Sequence, residues 1–257
     1  MLKQIKVNLQ VKAEAEQMFY VSCPRGLEAV LAEELRELGC PGAQASNAGV
    51  ELRGPFSLVY RINLHSRLAS RVLWRVAHGE YKTETDLYTA ALAAPWHDWF
   101  DVKRTIAVKV DAQKSPLRSL DFATLRIKDA VCDKFRAAIG ARPDVSTHEP
   151  DVRIYAFLMA REYSLYLDTS GKPLFQRGYR RESVEAPLRE NLAAGMLRLA
   201  QWDGAEALLD PMCGSGTILI EAALKALNIA PGIQREFAFE KLHLFDATQW
   251  RNLCESA

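Results

Sequence analysis

The stretch that most constrains this chain is Leu208–Ala223, LLDPMCGSGTILIEAA. The apolar residues Ala207, Leu208 and Leu209 read as a short buried strand that stops on an acidic residue, Asp210. A tight turn follows, Cys213-Gly214-Ser215-Gly216, and then apolar residues at helical spacing, Ile218, Ala222 and Leu224 among them. The two glycines allow backbone dihedrals that a Cβ forbids and leave room for another group to come close.

The rest of the chain must support such a strand–turn–helix unit, and its composition allows that. The 257 residues suffice for one large or two smaller domains, and 49% hydrophobic with 25% charged residues is ordinary for a globular protein. A net charge of +1 announces no nucleic-acid partner by itself. Cys23, Cys40, Cys132, Cys213 and Cys254 lack paired spacing, which points to free thiols and a reducing compartment. No apolar run reaches membrane-spanning length, and the N-terminus has no apolar signal region, so a cytoplasmic location is expected. No metal site is expected, because no second cysteine or histidine stands at ligand spacing from Cys213. Cys213 itself reads as a small packing residue in the turn.

Taken in order, residues 1–16 are a weakly patterned lead-in. Met18–Ser22 reads as a strand, and Leu27, Val30, Leu31, Leu35 and Leu38 share one helical face that ends at Gly39. A strand at Ala48–Leu52, a helix through Phe56, Val59, Tyr60 and Leu64, and a strand over Ser70–Tyr81 complete a β-α-β-α-β order. That order predicts a ferredoxin-like module over residues 17–82. A helix near Asp86–Ala93 and an aromatic segment, Pro95–Phe100, come next; its two tryptophans read as a core plug rather than a base-stacking platform. Thr105–Asp111 is a strand. Ser119–Ile139 is a long amphipathic helix with Leu120, Thr124, Ile127, Val131, Phe135 and Ala138 as its apolar stripe and Gly140 as its C-cap. Val152–Met159 and Tyr163–Asp168 read as paired strands. Residues 17–168 are thus expected to form one folded unit, separate from the residues beyond Gly171-Lys172-Pro173.

Between Lys103 and Arg142 stand ten Lys/Arg and four Asp/Glu, a local balance of +6. One basic block in a near-neutral chain suggests a phosphate-facing surface, with Lys114, Arg118, Arg126 and Lys128 as its candidates. Arg177, Arg180 and Arg181 extend it. Beyond them Pro187 opens a helix in which Leu188, Leu192, Met196 and Leu199 repeat at helical spacing, with Glu190 and Asn191 in its first turn.

The wording of the glycine turn is more informative than its glycines. Leu219 stands where a dinucleotide fingerprint has its third glycine, and no lysine follows until Lys225, which excludes a P-loop. D-P-x-C-G-S-G-T instead closely resembles motif I of S-adenosylmethionine-binding RNA and DNA methyltransferases. The run RGYR…APLRENLAA, within Leu174–Gly204, resembles the entry to the methyltransferase domain of bacterial large-subunit rRNA guanine-N2 methyltransferases, proteins often labelled N6-adenine DNA methylases. Lys114–Phe135, KSPLRSLDFATLRIKDAVCDKF, is similar to the THUMP stretch that precedes and forms its long helix. The resemblance covers about Gln17–Ala257.

It implies an α+β protein: a ferredoxin-like module at 17–82, a THUMP RNA-binding domain at 83–170, and at 171–257 the start of a Rossmann-like methyltransferase domain. S-adenosyl-L-methionine is the implied cofactor, with Ala186, Leu188, Glu190, Asn191, Asp210, Pro211, Cys213, Gly214, Ser215, Gly216 and Thr217 as its candidate contacts. Structured RNA, 23S rRNA first, is the implied partner. The family's [N/D]-P-P-[F/Y] motif, which holds the target amine, occurs nowhere in the sequence. Methyl transfer by this polypeptide alone is therefore not expected, the catalytic residues are expected beyond residue 257, and self-association through an uncovered sheet edge is expected. Two rival readings stay open: a DNA adenine-N6 methyltransferase, and a non-catalytic THUMP module that only binds RNA.

Overall fold

A computed structural model describes residues 15–180 and 188–257. Its elements are β1 (Gln17–Ser22), α1 (Glu28–Glu37), β2 (Gln44–Ser46), β3 (Gly49–Gly54), α2 (Leu58–His65), β4 (Arg71–Glu80), α3 (Glu84–Ala93), α4 (Trp96–Trp99), β5 (Ile106–Ala112), α5 (Leu120–Ile139), β6 (Val152–Leu158), β7 (Glu162–Asp168), α6 (Glu190–Leu199), α7 (Thr217–Ala226) and α8 (Ala247–Glu255), with a 3₁₀ turn at Ala238–Lys241. The α+β class expected from the sequence is the one observed. Among the described residues no helix is long and apolar enough to cross a membrane.

The described residues form two compact units. One joins residues 15–72 to the described part of 172–237 and to 246–257; the other takes in 73–171 and 238–245. This corrects the expectation that residues 17–168 stand apart from the C-terminal piece. The first module is tied to the later residues by buried contacts the sequence does not advertise. Gly195 of α6 lies against Leu27, where a Cβ would come within 2.5 Å of that side chain. Gly232 packs on the backbone of Asn63 and Leu64 so tightly that a Cβ would sit 2.6 Å from the Asn63 carbonyl oxygen.

Within the first unit β1 pairs antiparallel with β3, Phe19 opposite Leu52, and β2 pairs with the other edge of β3. In the second, β4 pairs antiparallel with β7, β7 with β6, and β6 runs parallel to β5. The helices start where local chemistry places them. Thr83 and Asp86 form a reciprocal capping box for α3, and Ser119 caps α5 by accepting from the Phe122 amide. Gly140, at φ 76°, ends α5 in the left-handed conformation. Trp96, Trp99 and Phe100 are buried, with the two indoles edge to face at 5.2 Å and Phe100 against Phe135, so the aromatic segment is core.

Three details of patterning differ from expectation. The α5 stripe that is buried runs through Ala123, Ile127, Ala130, Val131, Cys132 and Phe135, while Leu120 and Ala138 are exposed. On α6 the buried face holds Glu190, Asn191, Ala193, Ala194, Gly195 and Leu197, and Met196 and Leu199 are 47% and 58% exposed. Small residues win that face because the first module approaches closely there. The third is the strand at Ala207–Leu209, which does not form, and Leu209 is 86% exposed. An apolar trio gains ladder hydrogen bonds only beside another strand, and no described strand lies there.

Asp151 shows how the second unit is tied together. Its carboxylate accepts from the Thr105 amide and hydroxyl at 3.0 and 3.1 Å and pairs with Lys241 at 2.8 Å. Burial pushes its pKa up, but Lys241 and the Thr105 donors outweigh that and hold it at about 2. A carboxyl depressed in the fold stabilises it above the unfolded-state pKa and loses that contribution as pH falls toward the folded value. Asp151→Asn is expected to lower stability by about 1–2 kcal/mol at pH 7. The difference from wild type should shrink between pH 4 and 2. Urea titrations at pH 7 and 3 check this; an equal deficit at both would remove Asp151 ionisation as the cause.

Candidate functional site

Asp210–Thr217 forms a glycine loop that is exposed from Pro211 to Ser215. Asp210 accepts from the Met212 amide at 3.1 Å, and the Gly216 amide donates to the Cys213 carbonyl at 2.8 Å. Gly214 and Gly216 hold φ of 53° and 73°, left-handed values that disfavour other residues. A Cβ on Gly214 would meet nothing within 4 Å, so the backbone is open to a ligand there. Gly216 caps α7 without a side-chain hydrogen bond, which leaves the helix's first amides facing outward from the turn. Ser215 and Thr217 share a hydrogen bond at 3.1 Å, and Thr217 is buried. Pro211 and Cys213 are exposed, so Cys213 does not have the packing role expected of it. Burial pushes the thiols of Cys23 and Cys40 up to about 12 and about 11, which leaves both unreactive.

Behind the loop lies a buried cluster of charges. Arg177 donates to the Leu174 and Arg67 carbonyls at 2.6 and 2.5 Å and pairs with Glu221 of α7 at 3.5 Å. The Tyr179 hydroxyl donates to the same Glu221 oxygen at 3.1 Å. Glu221 is 1% exposed; burial raises its pKa, and Arg177, Tyr179 and Arg67 oppose that rise. Arg180 pairs with buried Glu190 at 3.2 Å and donates to the Leu188 carbonyl and the Thr217 hydroxyl. The Asn191 amide donates to the Leu68 carbonyl and the Ser70 hydroxyl. Among the described residues Arg67 Nη1, Arg180 Nη1, Asn191 Oδ1 and Glu221 Oε2 are buried without a hydrogen-bond partner.

This arrangement corrects part of the expected phosphate surface. Arg177 is buried against Glu221, and Arg180 turns toward Glu190, because two carboxylates sunk among apolar residues need cations. Neither extends a basic face outward; Arg181 and Ala186 lie outside the described residues. Lys114 and Arg118 are exposed. Arg126 lies over the Tyr88 ring, 4.2 Å from its centroid, and Lys128 pairs with Asp129. Sequence reasoning missed Glu221, Tyr179 and Arg67. One signal was available: Glu221 interrupts the apolar run of ILIEAA, and a charge there must find partners.

Three family models match the chain in succession: an RlmL ferredoxin-like domain over residues 18–73, a THUMP domain over 81–168, and an RMKL-like methyltransferase domain over 177–255. The chain belongs to this THUMP-containing methyltransferase family. The ribosomal RNA large subunit methyltransferase K/L of Psychromonas ingrahamii is 43% identical over 240 residues, 93% of this chain and 32% of that protein. The chain spans about a third of the length of the curated relatives it matches. Among solved structures, a protein described as an N6-adenine-specific DNA methylase from Listeria monocytogenes superposes with a TM-score of 0.86 at 31% identity, over 97% of this chain and 66% of that one. SMU.472, described as a methyltransferase complexed with SAH, gives 0.84 at 30% identity, over 94% and 64%.

Proposed function

We propose that this chain serves S-adenosyl-L-methionine-dependent methylation of large-subunit ribosomal RNA, at a guanine N2, supplying RNA binding and the amino-acid end of the cofactor site. The observation that carries the reading is the open glycine turn before α7, with Gly214 and Gly216 left-handed and the first helical amides uncapped. The residues fit the cofactor: uncapped amides at a helix N-terminus suit a carboxylate, and Asp210 suits an ammonium. Gly214, Ser215, Gly216 and Thr217 would hold the carboxylate side, with Pro211 and Cys213 lining the approach. The backbone of Leu188, Glu190 and Asn191 would form the facing wall. Bound there, the cofactor supplies an electrophilic sulfonium methyl group. The chain's own part is to fix that end and keep the loop's backbone donors aimed.

The RNA part rests on the THUMP match and on the exposed cations. Lys114 and Arg118, before α5, and Phe122 in its first turn, itself 51% exposed, are the kinds of residue that meet phosphate and an unpaired base. Arg126 and Lys128, both half-buried on α5, would add to that charge. Replacing Lys114 and Arg118 by glutamine is expected to weaken binding across RNA sequences and to flatten its salt dependence by about one unit of slope per lost contact. Filter binding between low and moderate salt checks this; an unchanged slope would place the surface elsewhere.

The whole reading is tested by calorimetric titration with S-adenosylhomocysteine beside binding of transcribed 23S rRNA and of duplex DNA. Binding of the nucleoside and preference for rRNA support it. Preference for duplex DNA favours the adenine-N6 alternative, and RNA binding without the nucleoside favours the non-catalytic module. A cytoplasmic setting, where free thiols persist, and self-association through the exposed Leu209 and Met212 complete the proposal.

A further inference from the structure

We propose that Arg67, in the ferredoxin-like module, is a positioning residue for the glycine loop, setting where the N-terminus of α7 points. The inference rests on the reading of Gly214–Thr217 as a cofactor end. Arg67 lies in the turn just after α2. Its Nη2 donates to the Leu224 carbonyl at 3.1 Å and to the Ile229 carbonyl at 2.8 Å, at the C-terminal end of α7. A cation there also faces the negative end of the helix dipole. Its own carbonyl accepts from Arg177, whose Nε faces Glu221 one turn into α7. Arg67 thus grips α7 directly at its last turn and, through Arg177, near its first.

Two such grips hold a rod in both rotation and axial register. Thr217 begins that rod, and ten residues at about 1.5 Å each carry any tilt at one end to the other. Loop amides that meet a carboxylate need placement within about 0.5 Å. The glycine loop itself is exposed and held by few bonds, so its aim comes from α7, and the aim of α7 comes from Arg67. Arg198 offers a contrast. It links the same module to α6 through Glu37 at 2.6 Å, and among the described residues its side-chain hydrogen bonds go to Glu37 and none to α7, although Lys225 feels its charge.

The test titrates S-adenosylhomocysteine into the full chain as wild type, Arg67→Gln, Arg67→Lys and Arg198→Gln, with hydrogen exchange followed over residues 217–224. Arg67→Gln is expected to bind about tenfold more weakly, the scale of one lost charged hydrogen bond, and to exchange faster at the start of α7. Arg67→Lys, which keeps the charge but not the two-carbonyl fork, should recover most of the affinity with faster exchange retained. Arg198→Gln should match wild type in both. Wild-type affinity and exchange in Arg67→Gln would overturn the proposal. If Arg67→Gln does not fold, Arg67→Lys decides: unchanged exchange over α7 overturns it. Failure of the wild type to bind would instead overturn the cofactor reading, and exchange alone would then judge Arg67.

Discussion

Glu221→Ala should cost the unit that holds the glycine loop about 3–5 kcal/mol, the scale of breaking a buried ion pair from one side. Glu221 is 1% exposed and is the carboxylate that Arg177 and the Tyr179 hydroxyl face. Truncation leaves the Arg177 guanidinium buried with its carbonyl partners but no counter-charge, and it strands the Tyr179 hydroxyl. Arg67, whose charge also feels Glu221, loses its compensation in the same step. Against a typical stability of about 5–15 kcal/mol this is a large fraction of the total. Glu221→Gln keeps the shape and the Tyr179 hydrogen bond, so its loss should be smaller. Urea denaturation followed by circular dichroism compares the three proteins. An alanine variant within about 1 kcal/mol of wild type would mean that the cluster is solvated after all.

That cluster also marks where sequence reading stops. Most elements up to Asp168 were legible because each follows a local rule: Gly39 and Gly140 end helices, Ser119 begins one, and strands alternate or run apolar. The three-residue strand β2 and the one-turn helix α4 carry too few residues to show a period and were not read. The glycine loop was legible because its words are specific and its dihedrals need glycine at Gly214 and Gly216. Partnership between distant residues was not. Whether RGYR faces water or carboxylate depends on Glu221 and Glu190, and no periodicity in Leu174–Tyr179 reports that. The inverted face of α6 has the same origin: Gly195 is buried because Leu27 needs the space, although leucine and methionine would win on hydrophobicity alone. The strand at Ala207–Leu209 failed for a related reason. Apolar content was read as burial, yet a strand is made by its neighbours.

Trp96→Ala should destabilise the THUMP-containing unit by about 3–5 kcal/mol, as large-to-small changes of buried aromatics do. Trp96 is fully buried, and its indole N–H donates to the Ala91 carbonyl at 2.6 Å. Its ring meets Trp99 edge to face, and Trp99 in turn meets Trp74 of β4 at 5.3 Å. Truncation opens a buried cavity beside Trp99 and leaves the Ala91 carbonyl with only the longer bond from the Ala94 amide, at 3.3 Å. The consequence for RNA separates core from platform. A core residue lowers RNA affinity only in proportion to the protein it unfolds, so binding at low temperature, where the fold persists, should stay near wild type. A stacking residue would do the reverse, forfeiting about 1–3 kcal/mol of binding per base with the melting curve unmoved. Trp96→Phe should fall between wild type and alanine in stability and leave RNA affinity intact. Thermal melts beside RNA titrations at 10 and 30 °C make the comparison, and loss of RNA binding at 10 °C by a fully folded alanine variant would show that these tryptophans serve the ligand.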